Sequence, residues 1–179
     1  FDFSEDERNE MLGYIHSQTD ALVSLLNNVI FLSRMDGQDI NTHFDFVSVN
    51  EICGTAIDLV RPKLSPSVNI IADTVLDTDL TIKSDRKLLS VAITCVLDNA
   101  AKFTKDGEIK VELLEHFYNS TSSIPDVEAN LCETIRIAIS NTGETIPTKN
   151  AELIFERFEK LGRYDAGFGL GLSIARESL

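Results

Sequence analysis

Apolar residues fall at Met11, Ile15, Leu22, Leu25, Val29 and Leu32, and with Gln18 in the empty slot the steps alternate between four and three. That is the heptad spacing of a helix with one apolar seam. Ser4-Glu5-Asp6-Glu7 has the spacing of a capping box at its start, and Gly37 supplies a stop. A helix of about 30 residues, roughly 45 Å long, follows. It is too long to lie on one small domain. The pattern predicts one arm of a helical bundle or dimer, with its first partner helix outside the chain.

After residue 42 the pattern changes. The segment 49–63 reads as a shorter helix closed by Pro62. Val68 to Asp73 and Asp79 to Asp85 read as short strands. Asp85 is placed to cap an amphipathic helix over 86–103. Asp106-Gly107 reads as a turn into a strand, 119–130 as polar loop, and 133–140 as an alternating strand. Residues 149–160, KNAELIFERFEK, read as a helix. Gly167, Gly169 and Gly171 then precede a short apolar helix that runs to the last residues. Helices mixed with hairpin-joined strands predict an α+β fold: a two-layer sandwich of a mixed or antiparallel sheet covered by helices, preceded by one long helix. The division expected is 1–42 for the bundle helix and 43–179 for the α+β domain.

With 179 residues, 43% of them hydrophobic, the chain can build one such core. Cys53, Cys95 and Cys132 each sit in an apolar stretch and read as reduced core residues. No apolar run approaches the roughly 18 residues of a membrane span. The formal net charge of −13 argues against a nucleic-acid partner. A polyanionic ligand would need local backbone N–H groups and a metal.

On the helix 86–103, Leu88, Leu89, Ala92, Ile93, Val96, Leu97 and Ala100 form a broad apolar arc. Asn99 and Phe103 lie inside the arc near its edge, flanked by Lys102. An asparagine on an apolar face needs partners. Taken alone, Asn99 reads as a core residue bonded to backbone. It is followed, however, by Asn141-Thr142-Gly143 directly after a strand, where a side chain at 143 would obstruct a ligand. Ile154-Phe155-Glu156-Arg157-Phe158 and then Gly167-Phe168-Gly169-Leu170-Gly171-Leu172 come next. Each motif is weak, and the four in this order are specific.

In that order the segment 50–179 resembles the catalytic ATP-binding domain of sensor histidine kinases, in the ATPase superfamily shared with gyrase and heat-shock chaperones. LDNAAKFT resembles the N box, NTGETIP the first glycine box, IFERF the F box and GFGLGLS the second glycine box. The preceding helix resembles the second helix of the dimerisation and phosphotransfer bundle. The resemblance implies ATP and Mg²⁺ as cofactors, with Asn99 ligating the metal and Lys102 approaching the phosphates. Phe103 would wall the base or ribose. Asn141, where the family usually has Asp, would bond the adenine amino group, and Gly143 would let the backbone approach the ring. Gly167, Gly169 and Gly171 would shape a lid whose N–H groups, including those of Leu170 and Leu172, face the phosphates. Phe155 and Phe158 would anchor its base. An ionised Asp offers only acceptors, so Asn141→Asp is expected to tighten nucleotide binding.

Three further positions depart from the family pattern. Thr145 stands in place of a third glycine, and Phe168 in place of a common Thr. Cys95 stands where kinases have Asn and water-activating ATPases have Glu. His16 lacks the adjacent acid and following proline of a phosphoacceptor box, so no catalytic residue is assigned within the chain. The family continues past the last helix, and the chain is read as a fragment at both ends. The resemblance implies a cytoplasmic segment of a membrane-anchored protein, with a homodimer through the bundle and a response-regulator receiver domain as partners. The expected function is delivery of the ATP γ-phosphate to a histidine outside the chain and then to a regulator aspartate. The alternative is a degenerate nucleotide-binding fold acting as a non-catalytic dimeric scaffold.

Overall fold

The structure, a computed structural model, describes residues 4–37, 41–72, 80–120, 131–161 and 167–179. Helix α1, Glu5–Asp36, starts at the capping box: the Ser4 backbone N–H donates to Glu7 at 2.8 Å, and the Glu7 N–H donates to the Ser4 hydroxyl. It is followed by β1 (Phe44–Ser48), α2 (Val49–Val60), a 3₁₀ turn at Arg61–Lys63 holding Pro62, and β2 (Val68–Ile71). Then come β3 (Thr81–Asp85), α3 (Arg86–Phe103), β4 (Gly107–Ser120), β5 (Leu131–Asn141) and α4 (Gly171–Glu177).

The strands form two sheets. β1 pairs antiparallel with β3. In the other sheet β4 is central, parallel to β2 and antiparallel to β5, with an irregularity between Leu113 and Glu115. Among the described residues, only β4 and β5 are consecutive antiparallel strands; β2 reaches β4 through a crossover that contains β3 and α3, as parallel strands require. Of the polar stretch 119–130, the first two residues extend β4 and 121–130 lie outside the described residues.

Helices α2 and α3 cover the strands. Ile52, Cys53, Ile57 and Val60 of α2 pack with Leu89, Ile93, Leu97 and Ala100 of α3 on Val47, Val68, Ile109 and Val111. A second, smaller cluster joins Leu32 of α1 to Leu170 and Ile174, against Val91 and Cys95 on another face of α3. The heptad seam of α1 is therefore divided. Leu32 is buried on α4 and Leu25 packs beside it, while Met11, Ile15, Leu22 and Val29 are exposed. Arg157 adds a bidentate pair to Asp36 at 2.6 and 2.7 Å, and reaches Glu177 of α4 at 3.4 Å.

The segment expected as a helix over 149–160 is instead two 3₁₀ turns, Thr148–Asn150 and Leu153–Phe155. Glu156 is extended, and the Phe158 N–H donates to the Gly169 carbonyl at 2.8 Å. Pairing with the glycine loop displaces the bonds that would have continued a helix. Phe158 is not a core anchor, since 63% of it is exposed; Phe155 is half-buried, with the Arg176 guanidinium 5.9 Å from its ring centre. Cys53 and Cys95 are free thiols, and the side chain of Cys132 lies outside those described.

Asp85 performs the expected cap. Its carboxylate accepts from the N–H groups of Lys87 at 2.9 Å and Leu88 at 3.1 Å, and from His43 N–H at 2.7 Å at the mouth of β1. These backbone donors, His43 first, hold the carboxyl below its usual range. A depressed folded pKa gives stability above the unfolded value that is lost as pH falls through the folded one. Asp85→Ala is expected to lower unfolding free energy by about 1–2 kcal/mol at neutral pH. In urea titrations the gap to the wild type should close as the pH drops below about 4.

Candidate functional site

Helix α3 carries two faces. At 100° per residue, Leu89, Ile93, Leu97 and Ala100 point to the sheet, while Val91 and Cys95 point to α4. Asn99 and Lys102 continue the stripe begun by Val91 and Cys95. Asn99 sits on the flank between the two faces and is half-buried, and its amide has no protein hydrogen-bond partner among the described residues. A core asparagine bonded to backbone would have one. The Lys102 ammonium lies 4.4 Å from the Phe103 ring centre, a cation–π distance, and Phe103 is 37% exposed.

The end of β5 is brought to the same turn of α3. The Thr142 hydroxyl accepts from Glu108 N–H at 3.0 Å and donates to the Asp106 carbonyl at 2.9 Å, which fixes the strand exit. The Asn141 Nδ2 donates to Thr104 Oγ1 at 2.9 Å, and that hydroxyl donates to the Ala100 carbonyl at 2.7 Å. Gly143 is required by the protein itself. A Cβ there would collide with the Phe103 carbonyl oxygen and lie 2.5 Å from Asn141 Nδ2. The reason for this glycine is thus close backbone packing, where the sequence suggested room for a ligand. Thr104 was not among the residues singled out; the sequence signal available was a hydroxyl one residue past the end of the helix that carries Asn99.

The glycine loop closes the third side. Gly167 and Gly169 take φ of 94° and 70°, open to glycine at no steric penalty. A Cβ on Gly169 would lie 2.6 Å from the Glu159 carbonyl oxygen and 2.8 Å from the Phe158 carbonyl carbon. Phe158 itself has φ 66°. A Cβ on Gly167 would stand 3.6 Å from Lys102 Nζ, which places the start of the loop over α3. Gly171 differs: it is the first residue of α4, and a Cβ there would make ordinary contact, 3.9 Å from the Cys95 carbonyl. Leu170 is buried and Leu172 half-buried, and Ser173 Oγ donates to the Leu170 carbonyl at 2.9 Å. Residues 162–166 lie outside the described residues.

Burial, with the Asp98 carboxylate adding to it, pushes the Cys95 thiol up to about 11. It stays protonated near neutral pH and cannot serve as the base that activates water. Among the described residues no three His, Cys, Asp or Glu side chains converge as a metal cluster, and no helix is long and apolar enough to cross a membrane.

Residues 84–179 match the family of histidine kinase-, DNA gyrase B-, and HSP90-like ATPases, and the chain belongs to that family. Sensor histidine kinase WalK of Bacillus subtilis is 25% identical over 178 residues, 97% of this chain and 27% of WalK. Two-component system protein A of Emericella nidulans is 23% identical over 175 residues, 96% of this chain and 24% of that protein. The chain spans about a quarter of the length of these two relatives. Full-length ShkA, solved in complex with AMPPNP, superposes with a TM-score of 0.70 at 22% identity, over 99% of this chain and 34% of ShkA. The mycobacterial sensor histidine kinase MprB gives 0.56 at 25% identity, over 76% and 78%.

The two kinds of glycine should separate on substitution. Gly169→Ala forces a side chain into a left-handed conformation, worth about 1–2 kcal/mol before its overlap with Phe158 and Glu159 is added. Gly171→Ala sits at a helical position with room for the methyl group. Urea unfolding should therefore show a clear loss for the first and little change for the second.

Proposed function

We propose that the chain is the ATP-binding kinase module of a two-component sensor histidine kinase. It delivers the γ-phosphate to a histidine outside the chain, from which a response-regulator receiver aspartate takes the phosphoryl group. The observation that carries this reading is the convergence on the last turn of α3. Gly143 packs on the Phe103 carbonyl, Gly167 approaches Lys102, and Asn141 bonds Thr104. Three segments far apart in sequence meet at the turn that also carries Asn99, whose amide is uncommitted among the described residues.

The donor set fits Mg²⁺. A single amide oxygen from Asn99 suits an ion that keeps several waters and takes its remaining ligands from phosphates; it does not suit a cage-forming metal. When bound, the ion would neutralise charge on the phosphates. Lys102 would add a positive charge beside them, and unpaired N–H groups at the start of α4 would face them. Asn141 would accept from the adenine amino group, with Phe103 beside the base. Positioning would supply most of the rate. Cys95 supports transfer to a protein group over hydrolysis, because a neutral thiol does not activate water.

The partners of the reading follow from α1. A second apolar stripe, Leu12, Val23, Leu26 and Ile30, runs beside the exposed part of the heptad seam. One stripe would serve the first bundle helix and the other a second copy, giving a homodimer. His16 is 82% exposed in its side chain and lies 3.7 Å from Asp20, a solvated helical pair.

Calorimetric titration is expected to show Mg-dependent binding of ADP and ATP by the chain, without self-labelling from γ-labelled ATP. Asn99→Ala should abolish the Mg-dependence with little change in melting temperature. Survival of Mg-dependent binding together with a sharp drop in melting temperature would return Asn99 to a core role. Failure of the parent chain to bind any adenine nucleotide would favour the non-catalytic scaffold.

A further inference from the structure

We propose that Thr104 is the positioning residue that makes an asparagine competent at position 141, and that it thereby sets the preference for adenine over guanine. The proposal rests on the adenine-nucleotide reading above. A primary amide carries an acceptor at one end and two donors at the other. Whichever end faces the cleft selects the base. An outward oxygen selects the exocyclic amino group of adenine; an outward NH₂ selects the carbonyl of guanine.

The structure fixes which end is outward. Thr104 is 2% exposed, so water does not compete for its hydroxyl. That hydroxyl has one hydrogen, and it is given to the Ala100 carbonyl at 2.7 Å. Ala100 lies in the last turn of α3, where carbonyls lack the usual helical donor. With its hydrogen spent, Thr104 Oγ1 offers only lone pairs to Asn141. The amide must present its NH₂, as it does at 2.9 Å. Turning the amide over would set two acceptor oxygens against each other. Gly143 leaves space for this arrangement, because a Cβ there would lie 2.5 Å from Asn141 Nδ2. The relay runs from the Asn141 amide to the Thr104 hydroxyl to the Ala100 carbonyl, and its other end, Asn141 Oδ1, has no hydrogen-bond partner among the described residues.

The relay reverses the expectation drawn from the sequence. An aspartate at 141 has no hydrogen for Thr104 Oγ1. Either the hydroxyl abandons the Ala100 carbonyl, or two acceptors face each other in a part-buried place. The natural asparagine therefore binds at least as tightly as aspartate would.

The test is calorimetric titration of the full chain and three variants with Mg-ADP and Mg-GDP. Wild type is expected to prefer ADP. Thr104→Val keeps the shape and removes the hydroxyl; its ADP-to-GDP affinity ratio should fall about five- to tenfold, the worth of one hydrogen bond. Thr104→Ser should restore the ratio. Asn141→Asp should leave ADP affinity unchanged or weaker. A purely structural Thr104 would lower the melting temperature and leave the ratio alone, and that result overturns the proposal. Should Thr104→Val fail to fold, Asn141→Asp decides alone: tighter ADP binding by the aspartate variant, the gain of a charge-assisted bond over a neutral one, overturns the relay. Wild type that binds neither nucleotide overturns the underlying functional reading, a failure distinct from that of a wild type that binds ADP with a ratio insensitive to Thr104.

Discussion

Helix α3 has to satisfy two apolar surfaces at once, and the rest of the structure is arranged around that demand. One face closes the main core with α2 and the strands, and the other receives α4 and the end of α1. Between the faces a helix has a flank, and two packed neighbours leave the side chains on that flank partly covered. Asn99 lies on this flank. It can be half-buried and, among the described residues, uncommitted because the residues on either side of it do the packing. Leu97, with none of its surface exposed, and Ala100 hold the last turn rigidly against the sheet. That rigidity gives the glycine at 143, the amide at 141 and the loop at 167 something fixed to pack on.

The same arrangement links the long helix to the loop. Leu32 is 4% exposed and packs on Leu170 and Ile174, so the residue that follows Gly169 is also the residue on which α1 rests. Full burial of a leucine contributes about 1.5–3 kcal/mol. The Arg157 fork to Asp36 lies near the surface, where ion pairs add little net stability but define geometry. Packing therefore holds α1 in place, and the guanidinium sets its rotation. Any shift of α1 along its axis must disturb Leu170 before it disturbs the sheet.

Much of this was legible in the chain because the signals were local. The Ser4 box, the Asp85 cap and the Asp106-Gly107 turn each depend on a few adjacent residues, and each formed as read. The α3 periodicity placed Asn99 on an edge correctly, but it could not show that the edge faces a second cluster. The segment 149–160 misled because its apolar spacing suits a helix, while the decisive bond, Phe158 N–H to the Gly169 carbonyl, joins positions eleven apart across an intervening loop. The heptad seam gave no hint that Leu32 leaves it for α4. Thr104 was silent for a different reason. A hydroxyl after a helix is common, and its meaning here lies in Asn141, 37 residues further on.

The relay also bears on how so acidic a chain could accept a triphosphate. A net charge of −13 describes the whole surface, and at physiological ionic strength charges beyond about 8 Å are largely screened. What matters is the charge count within that distance. None of the residues assigned to the proposed site is a carboxylate, and the nearby Asp98 is bridged to Lys63 at 2.5 Å. An aspartate at 141 would have added a negative charge in a part-buried place, where screening by water is weakest. An asparagine oriented by Thr104 keeps the acceptor and omits the charge. A neutral acceptor held by a buried hydroxyl costs less desolvation than a carboxylate, and it adds no charge to repel the phosphates.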